Sequence, residues 1–194
     1  RAIGRSSYTP CQLAADIIRS SQARHPDKQT RSFASSKIKL VVIGASTGGP
    51  LAVQSILSSL PQDFSLPLLV AVHMPGSFTT AYAERLNMVS AIEVREAIDG
   101  EPLSPGCALI APGGKQMTVE RAFTEPIIRI TDRLPGDIYH PCVDRLFHSV
   151  AKVFNHRVLG MILTGMGSDG LQGALHIKQS GGHVWTQDEP SCVV

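Results

Sequence analysis

The stretch Lys39-Leu-Val-Val-Ile-Gly-Ala-Ser-Thr-Gly-Gly-Pro-Leu-Ala-Val-Gln-Ser-Ile-Leu57 decides how the whole chain reads. Leu40 to Ile43 is an unbroken apolar run with β-branched residues, the pattern of a strand buried on both faces. Gly44 ends it, and residues 44–48 read Gly-Ala-Ser-Thr-Gly. Beyond Pro50, the spacing of Leu51, Val53, Ile56, Leu57 and Leu60 gives one apolar helical face. The stretch is strand, tight turn and helix. Ser46 falls in the turn, where small neighbours permit a sharp backbone and leave the hydroxyl exposed above the sheet edge. The helix start adds free N–H groups and a positive dipole end, which suit a developing oxyanion.

Ser46 is therefore a candidate nucleophile, with two other readings open at this point: an anion- or nucleotide-binding loop, or plain turn chemistry. A Walker loop is excluded because no Gly-Lys-Ser/Thr follows. The dinucleotide fingerprint does not match either, because the glycines fall at 44, 48 and 49.

Working outward, 194 residues make one or at most two domains with room for a large core, and the composition, 43% hydrophobic and 18% charged, is globular. No run approaches the length of a membrane span and no signal-peptide pattern opens the chain, so a cytoplasmic protein that is not membrane-inserted is expected. An opening Arg1 without an initiator Met leads us to expect a piece of a longer protein. Cys11, Cys107, Cys142 and Cys192 lie far apart, and the histidines show no ligand spacing, so neither a disulfide framework nor a metal site nor another cofactor is indicated. Charge is uneven. Residues 1–38 carry seven Lys/Arg against two Asp/Glu, +5, and residues 39–194 carry eleven against fourteen, −3. A mildly acidic folded part argues against a nucleic-acid partner.

Residues 1–38 read as a basic, flexible linker remnant with one possible helix from Gln12 to Gln22, and a domain as residues 39–194. Within that domain, Leu68–Val72 is a second buried strand and Thr79–Met88 a helix. Residues 92–130 read as a β-rich insertion, with short strands at Ile92–Val94 and Ala108–Ile110 and a hairpin pairing Met117–Val119 with Ile127–Ile130. The apolar spacing from Val143 to Phe154 predicts an amphipathic helix. Val158–Leu163 predicts a buried strand, Leu171–Gln179 a helix and His183–Thr186 another strand. Alternating strands and helices predict an α/β fold, three-layer and doubly wound, Rossmann-like, on a mainly parallel sheet.

In such a sheet, sites form outside the carboxyl ends of the strands. Ser46 follows the first strand, His73 ends the second, and Asp169 lies in the glycine-rich loop Thr164-Gly-Met-Gly-Ser-Asp-Gly170. A serine needs a base within reach, which His73 can be, and a carboxylate on the far imidazole nitrogen, which Asp169 can supply. The order Ser, His, Asp differs from that of α/β-hydrolases.

At these residues the chain resembles a known family. Gly44-Ala-Ser-Thr-Gly-Gly49, His73-Met74-Pro75, Ala111-Pro112-Gly113, Pro141-Cys-Val-Asp-Arg-Leu-Phe-His-Ser-Val150, Thr164–Gly170 and Ser191-Cys-Val-Val194 are similar to the catalytic domain of the chemotaxis-receptor methylesterases, the CheB family. The resemblance implies that Ser46, His73 and Asp169 are the catalytic triad. It places Thr47 beside the nucleophile and Met166 as the residue whose N–H serves the oxyanion hole. It implies hydrolysis of γ-glutamyl methyl esters on methyl-accepting chemoreceptors to glutamate and methanol, with deamidation of receptor glutamines in many members. It also implies a receiver domain, absent here, that a chemotaxis histidine kinase phosphorylates. A hydrolase of small esters and a non-catalytic nucleotide- or anion-binding module are the rival readings. Tyr139-His140-Pro141-Cys142 stands where the family commonly shows His-Arg-Pro-Ser, and Ser168 where it shows Asn. Members continue beyond the position of Val194, so the sequence predicts an unpaired sheet edge and an exposed apolar face.

Overall fold

An apolar run in a strand points its side chains alternately to the two faces of a sheet, so a strand with no polar position must be covered on both. The computed structural model, which describes residues 7–8, 38–123, 125–133 and 135–194, shows that arrangement. In chain order the elements are β1 (Ser7–Tyr8), β2 (Leu40–Ala45), α1 (Gly49–Leu57), β3 (Leu68–Val72), α2 (Gly76–Val89), β4 (Glu93–Glu96), β5 (Cys107–Ile110), β6 (Lys115–Ala122) and β7 (Glu125–Asp132). They are followed by α3 (Val143–Phe154), β8 (Val158–Ile162), α4 (Leu171–Gln179) and β9 (His183–Gln187).

Val41, Ile43 and Ala45 of β2 join a core with Val53, Ile56 and Leu57 of α1 and Ala83 and Leu86 of α2. Leu40 and Val42 join a second core with Leu146, Phe147 and Val150 of α3, Ala174 and Ile177 of α4, and Met117, Val119 and Ile128 of the β6–β7 hairpin. Each fully buried Leu, Ile or Phe in these layers contributes about 1.5–3 kcal/mol. Helix α3 buries Val143, Leu146, Phe147, Val150, Ala151 and Phe154, the i, i+3, i+4, i+7 series of a single apolar stripe.

The main sheet runs β1-β9-β8-β2-β3-β5-β4, with every pair parallel. The expected α/β three-layer architecture is therefore present. The β-rich insertion is narrower than the sequence suggests: β4 and β5 belong to the main sheet, and only β6 and β7 form a separate antiparallel ribbon. Short apolar runs reveal strands without revealing which sheet they join. The edge beyond β9 is not bare, because Ser7 and Tyr8 pair with Thr186 and Gln187. The expected helix from Gln12 to Gln22 lies outside the described residues.

From β2 the chain moves to one side through β3, β4 and β5 and then crosses to the other through β8 and β9. The carboxyl ends of β2, β3 and β8 thus meet at the point where the winding reverses, where such sheets open a crevice.

Candidate active site

Ser46 is the first residue beyond β2, and main-chain bonds fix it. Its N–H donates to Thr164 O at 3.0 Å, and its carbonyl accepts from Gly49 N–H at 2.8 Å. Two glycines make the turn possible. Gly48 sits at φ 78° at the start of α1, in the left-handed region that disfavours side chains. A Cβ on Gly165 would lie 2.7 Å from Ser46 Cβ, so only glycine lets the two loops approach.

The β2–β3 register, Ala45 opposite Val72, sets the next residues side by side, and His73 N–H donates to Ala45 O at 3.1 Å. His73 Nδ1 is 3.1 Å from Ser46 Oγ, and its Nε2 is 2.8 Å from Asp169 Oδ2. An ionised carboxylate only accepts, so Nε2 carries the hydrogen and Nδ1 is left with the lone pair that faces the serine hydroxyl.

The Asp169 side chain is only 3% exposed, and it is saturated with donors. Oδ2 also accepts from Val143 N–H at 2.8 Å, while Oδ1 accepts from Asp144 N–H at 2.9 Å and from the Cys142 thiol at 3.3 Å. Val143 and Asp144 open α3, so the carboxylate caps that helix at its positive end. Burial by itself would raise the Asp169 carboxyl; the hydrogen bonds from His73, the two amides and the thiol outweigh it and hold the group below the ordinary carboxylate range. The Cys142 thiol is pushed up to about 11, first by burial and, against a lowering backbone hydrogen bond from Arg145, by Asp169, so it is a protonated donor at neutral pH.

The capping is reciprocal. Asp144 Oδ1 accepts from Gly170 N–H at 3.0 Å and from Gly173 N–H at 2.6 Å, at the start of α4, the helix that Asp169 precedes. Each of two neighbouring helices is thus capped by a carboxylate associated with the other. Tyr139 lies face to face with His73, ring centroids 4.5 Å apart and planes within 6°.

Ser46, His73, Asp169 and Met166 line one small cavity of about 60 Å³, with Gly44, Val143 and Gly165 among its walls. Met166 is 71% exposed at its mouth. Thr47 is exposed, and its carbonyl accepts from Thr164 Oγ1 at 3.0 Å. Among the described residues, no hydrogen bond engages the N–H of Thr47 or of Met166. Among those same residues, no group of three or more His, Cys, Asp or Glu is placed to hold a metal ion. No helix there is long and apolar enough to cross a membrane.

The fold therefore brings together Ser46, His73 and Asp169, with Thr47 next to the serine in the chain and Met166 on the wall of the same cavity. Sequence reasoning marked the segments that hold Asp144, Cys142, Tyr139 and Thr164 but gave none of these residues a part in the site. Local pattern pointed to Asp144 alone, an acidic residue in the first turn of a strongly amphipathic helix.

The family model described as CheB methylesterase matches residues 41–194. The chain belongs to the CheB methylesterase family. It is 54% identical over 159 residues to protein-glutamate methylesterase/protein-glutamine glutaminase 1 of Pseudomonas aeruginosa, covering 80% of this chain and 42% of that protein. It is 51% identical over 166 residues to the enzyme of the same name from Vibrio cholerae, covering 85% and 44%. The structure resembles the crystal structure of the Thermotoga maritima CheB methylesterase catalytic domain, with a TM-score of 0.78, 38% identity, and coverage of 81% of this chain and 83% of that one. Aligned regions amount to 42–49% of the CheB-family relatives in Pseudomonas aeruginosa, Vibrio cholerae and Pseudomonas syringae pv. syringae, so the chain spans about half their length.

Proposed function

We propose that this chain is the catalytic part of a serine-type hydrolase that demethylates γ-glutamyl methyl esters on methyl-accepting chemoreceptors, giving glutamate and methanol, and that also deamidates receptor glutamines. The observation that carries the reading is the unbroken relay Ser46 Oγ, His73 Nδ1, His73 Nε2, Asp169 Oδ2, at 3.1 and 2.8 Å.

In this mechanism Ser46 Oγ attacks the ester carbonyl while His73 Nδ1 takes its proton. Asp169, kept ionised by its four donors, stabilises the imidazolium and holds the tautomer. The carbonyl oxygen becomes an oxyanion, and the N–H groups of Thr47 and Met166 are its donors. Collapse breaks the C–O bond, His73 returns the proton to the departing methoxide, and methanol leaves an acyl-serine. Water, deprotonated by His73, then adds to the acyl carbon and releases glutamate and Ser46. An amide substrate follows the same path with ammonia as the leaving group. The small cavity matches a methyl ester or a primary amide, whose leaving groups, methanol and ammonia, carry two heavy atoms and one.

The same reading makes residues 39–194 the catalytic domain and residues 1–38 a tether, of which Ser7 and Tyr8 pair with β9 at the edge of the domain's sheet. The tether leads to a receiver domain, phosphorylated by a chemotaxis histidine kinase, and the enzyme works in the cytoplasm. The relatives' printed name, protein-glutamate methylesterase/protein-glutamine glutaminase, supports both activities.

The test is methanol release from methylated chemoreceptor by the chain and by Ser46→Ala, with circular dichroism showing both folded. Release by the chain that vanishes in the variant is expected. Equal release by both would overturn the assignment, and release from free small esters but not from receptor would move the substrate to the small-ester class.

A further inference from the structure

His73 is fixed at two points in its own plane, by Ser46 and by Asp169. Two in-plane hydrogen bonds run close to the line joining the ring's nitrogens, so they resist a tilt about that line only weakly, although a large tilt bends both away from linearity. A third restraint has to come from the ring face, where Tyr139 stands, 4.5 Å away and nearly parallel.

Tyr139 is itself anchored. The segment from Asp137 to Cys142 is strapped to the β6–β7 hairpin by Gln116, a polar side chain only 1% exposed. Gln116 Nε2 donates to Asp137 Oδ2 at 3.1 Å and to Tyr139 O at 2.8 Å, and its Oε1 accepts from Cys142 N–H at 2.9 Å. Arg145 Nη2 donates to Asp137 Oδ1 at 2.7 Å, and Gly114 N–H donates to His140 O at 3.1 Å. The strap therefore touches two members of the relay, through the Tyr139 ring on His73 and through the Cys142 thiol on Asp169. Gln116 is a buried amide whose oxygen and nitrogen are both used to hold this strap, which gives a structural reason for a polar residue in a core-facing strand position.

We propose that Tyr139 is a positioning residue for the acyl-transfer reaction, acting through His73; the inference rests on the hydrolase reading above. Its ring blocks the tilt, so that Nδ1 stays aimed at Ser46 and Nε2 at Asp169. Its electron-rich face also stabilises the imidazolium that exists only while the serine proton is in transit, an aromatic–cation attraction present in the transition state and weak in the ground state. Leucine at 139 would cover the same face with apolar surface but without the flat ring or its π electrons, whereas phenylalanine keeps both.

The experiment is steady-state hydrolysis of methylated chemoreceptor by the chain and by Tyr139→Phe, Tyr139→Leu and Ser46→Ala, with folding followed by circular dichroism. Proton NMR of the His73 ring is recorded for the folded chain and for Tyr139→Leu. Tyr139→Phe should retain the activity. Tyr139→Leu should lose roughly three- to thirty-fold in kcat, the range of one such contact, with KM unchanged. The upfield ring-current shift of the His73 ring protons should be present in the chain and absent in Tyr139→Leu. Unchanged kcat in a folded Tyr139→Leu would overturn the proposal. So would a loss confined to KM, which would make Tyr139 a substrate contact, or a Phe variant as impaired as Leu, which would assign the effect to the hydroxyl. If Ser46→Ala hydrolyses as well as the chain, the hydrolase reading has failed, and the positioning role falls with it even where the ring-current shift shows the stack itself to be present.

Discussion

Ser46 and Asp169 occupy equivalent places, each in the turn between a parallel strand and the following helix, yet they are held by opposite means. Main chain holds Ser46: the amide bond to Thr164, the bond from Gly49 to its carbonyl, and a loop at Gly165 so close that an added Cβ would lie 2.7 Å from Ser46 Cβ. Side chain holds Asp169: its carboxylate binds the first amides of α3, and Asp144 of α3 returns the same bond to the start of α4. The serine loop should therefore be sensitive to volume and the aspartate loop to charge.

Asp169→Asn should break the comparison most visibly. An amide offers one acceptor oxygen where four donors now converge, and it fails to fix the His73 tautomer, so kcat should fall by about 10³–10⁴-fold while Ser46 stays in place. Methanol release with a crystal structure of the variant checks both halves. Gly165→Ala comes next. It changes no charge but has to move Ser46, and a displacement approaching 1 Å costs about 10²-fold in kcat with little change in urea stability. If Gly165→Ala is harmless, volume is not what governs the serine loop.

Asp144→Ala removes the cap from α4 without touching the relay. It should lower stability in urea by about 1–2 kcal/mol and reduce kcat less than Asp169→Asn does. The pH dependence sharpens the charge side. Because the folded Asp169 carboxyl lies below its ordinary value, its contribution to stability is complete above about pH 4 and is lost as pH falls through the lower folded value. The difference in urea stability between the chain and Asp169→Asn should shrink as the pH falls below about 4. The smallest effect is expected at Cys142. Serine there keeps a donor for Asp169 and should leave kcat unchanged, whereas Cys142→Ala should cost about five-fold, the ~1 kcal/mol of one hydrogen bond.

The two loops also differ in how legible they are. Strand, turn and helix around Ser46 can be read directly, because Leu40–Ile43 and the helix spacing after Pro50 are local patterns. The grouping of Ser46, His73 and Asp169 follows from placing polar residues at the ends of three buried strands, and those strands do stand side by side in the order β8-β2-β3. Asp144, Cys142 and Tyr139 carry no comparable mark. Cys142 and Asp144 meet Asp169 across 27 and 25 positions, through the packing of α3 against α4. Likewise, the runs at 92–94 and 108–110 show two strands but not that both extend the main sheet.

The sequence by itself determined the α/β class, the buried strands, the amphipathic α3 and the strand-end residues that meet, because each depends on periodicity and turn chemistry over a few neighbouring positions. Only the tertiary structure decided how the relay is supported: which helix receives the Asp169 carboxylate, which strap lays Tyr139 on His73, and which glycine admits Ser46. Those contacts depend on distances between elements far apart in the chain, and no local pattern of residues encodes a distance that the packing of whole layers sets.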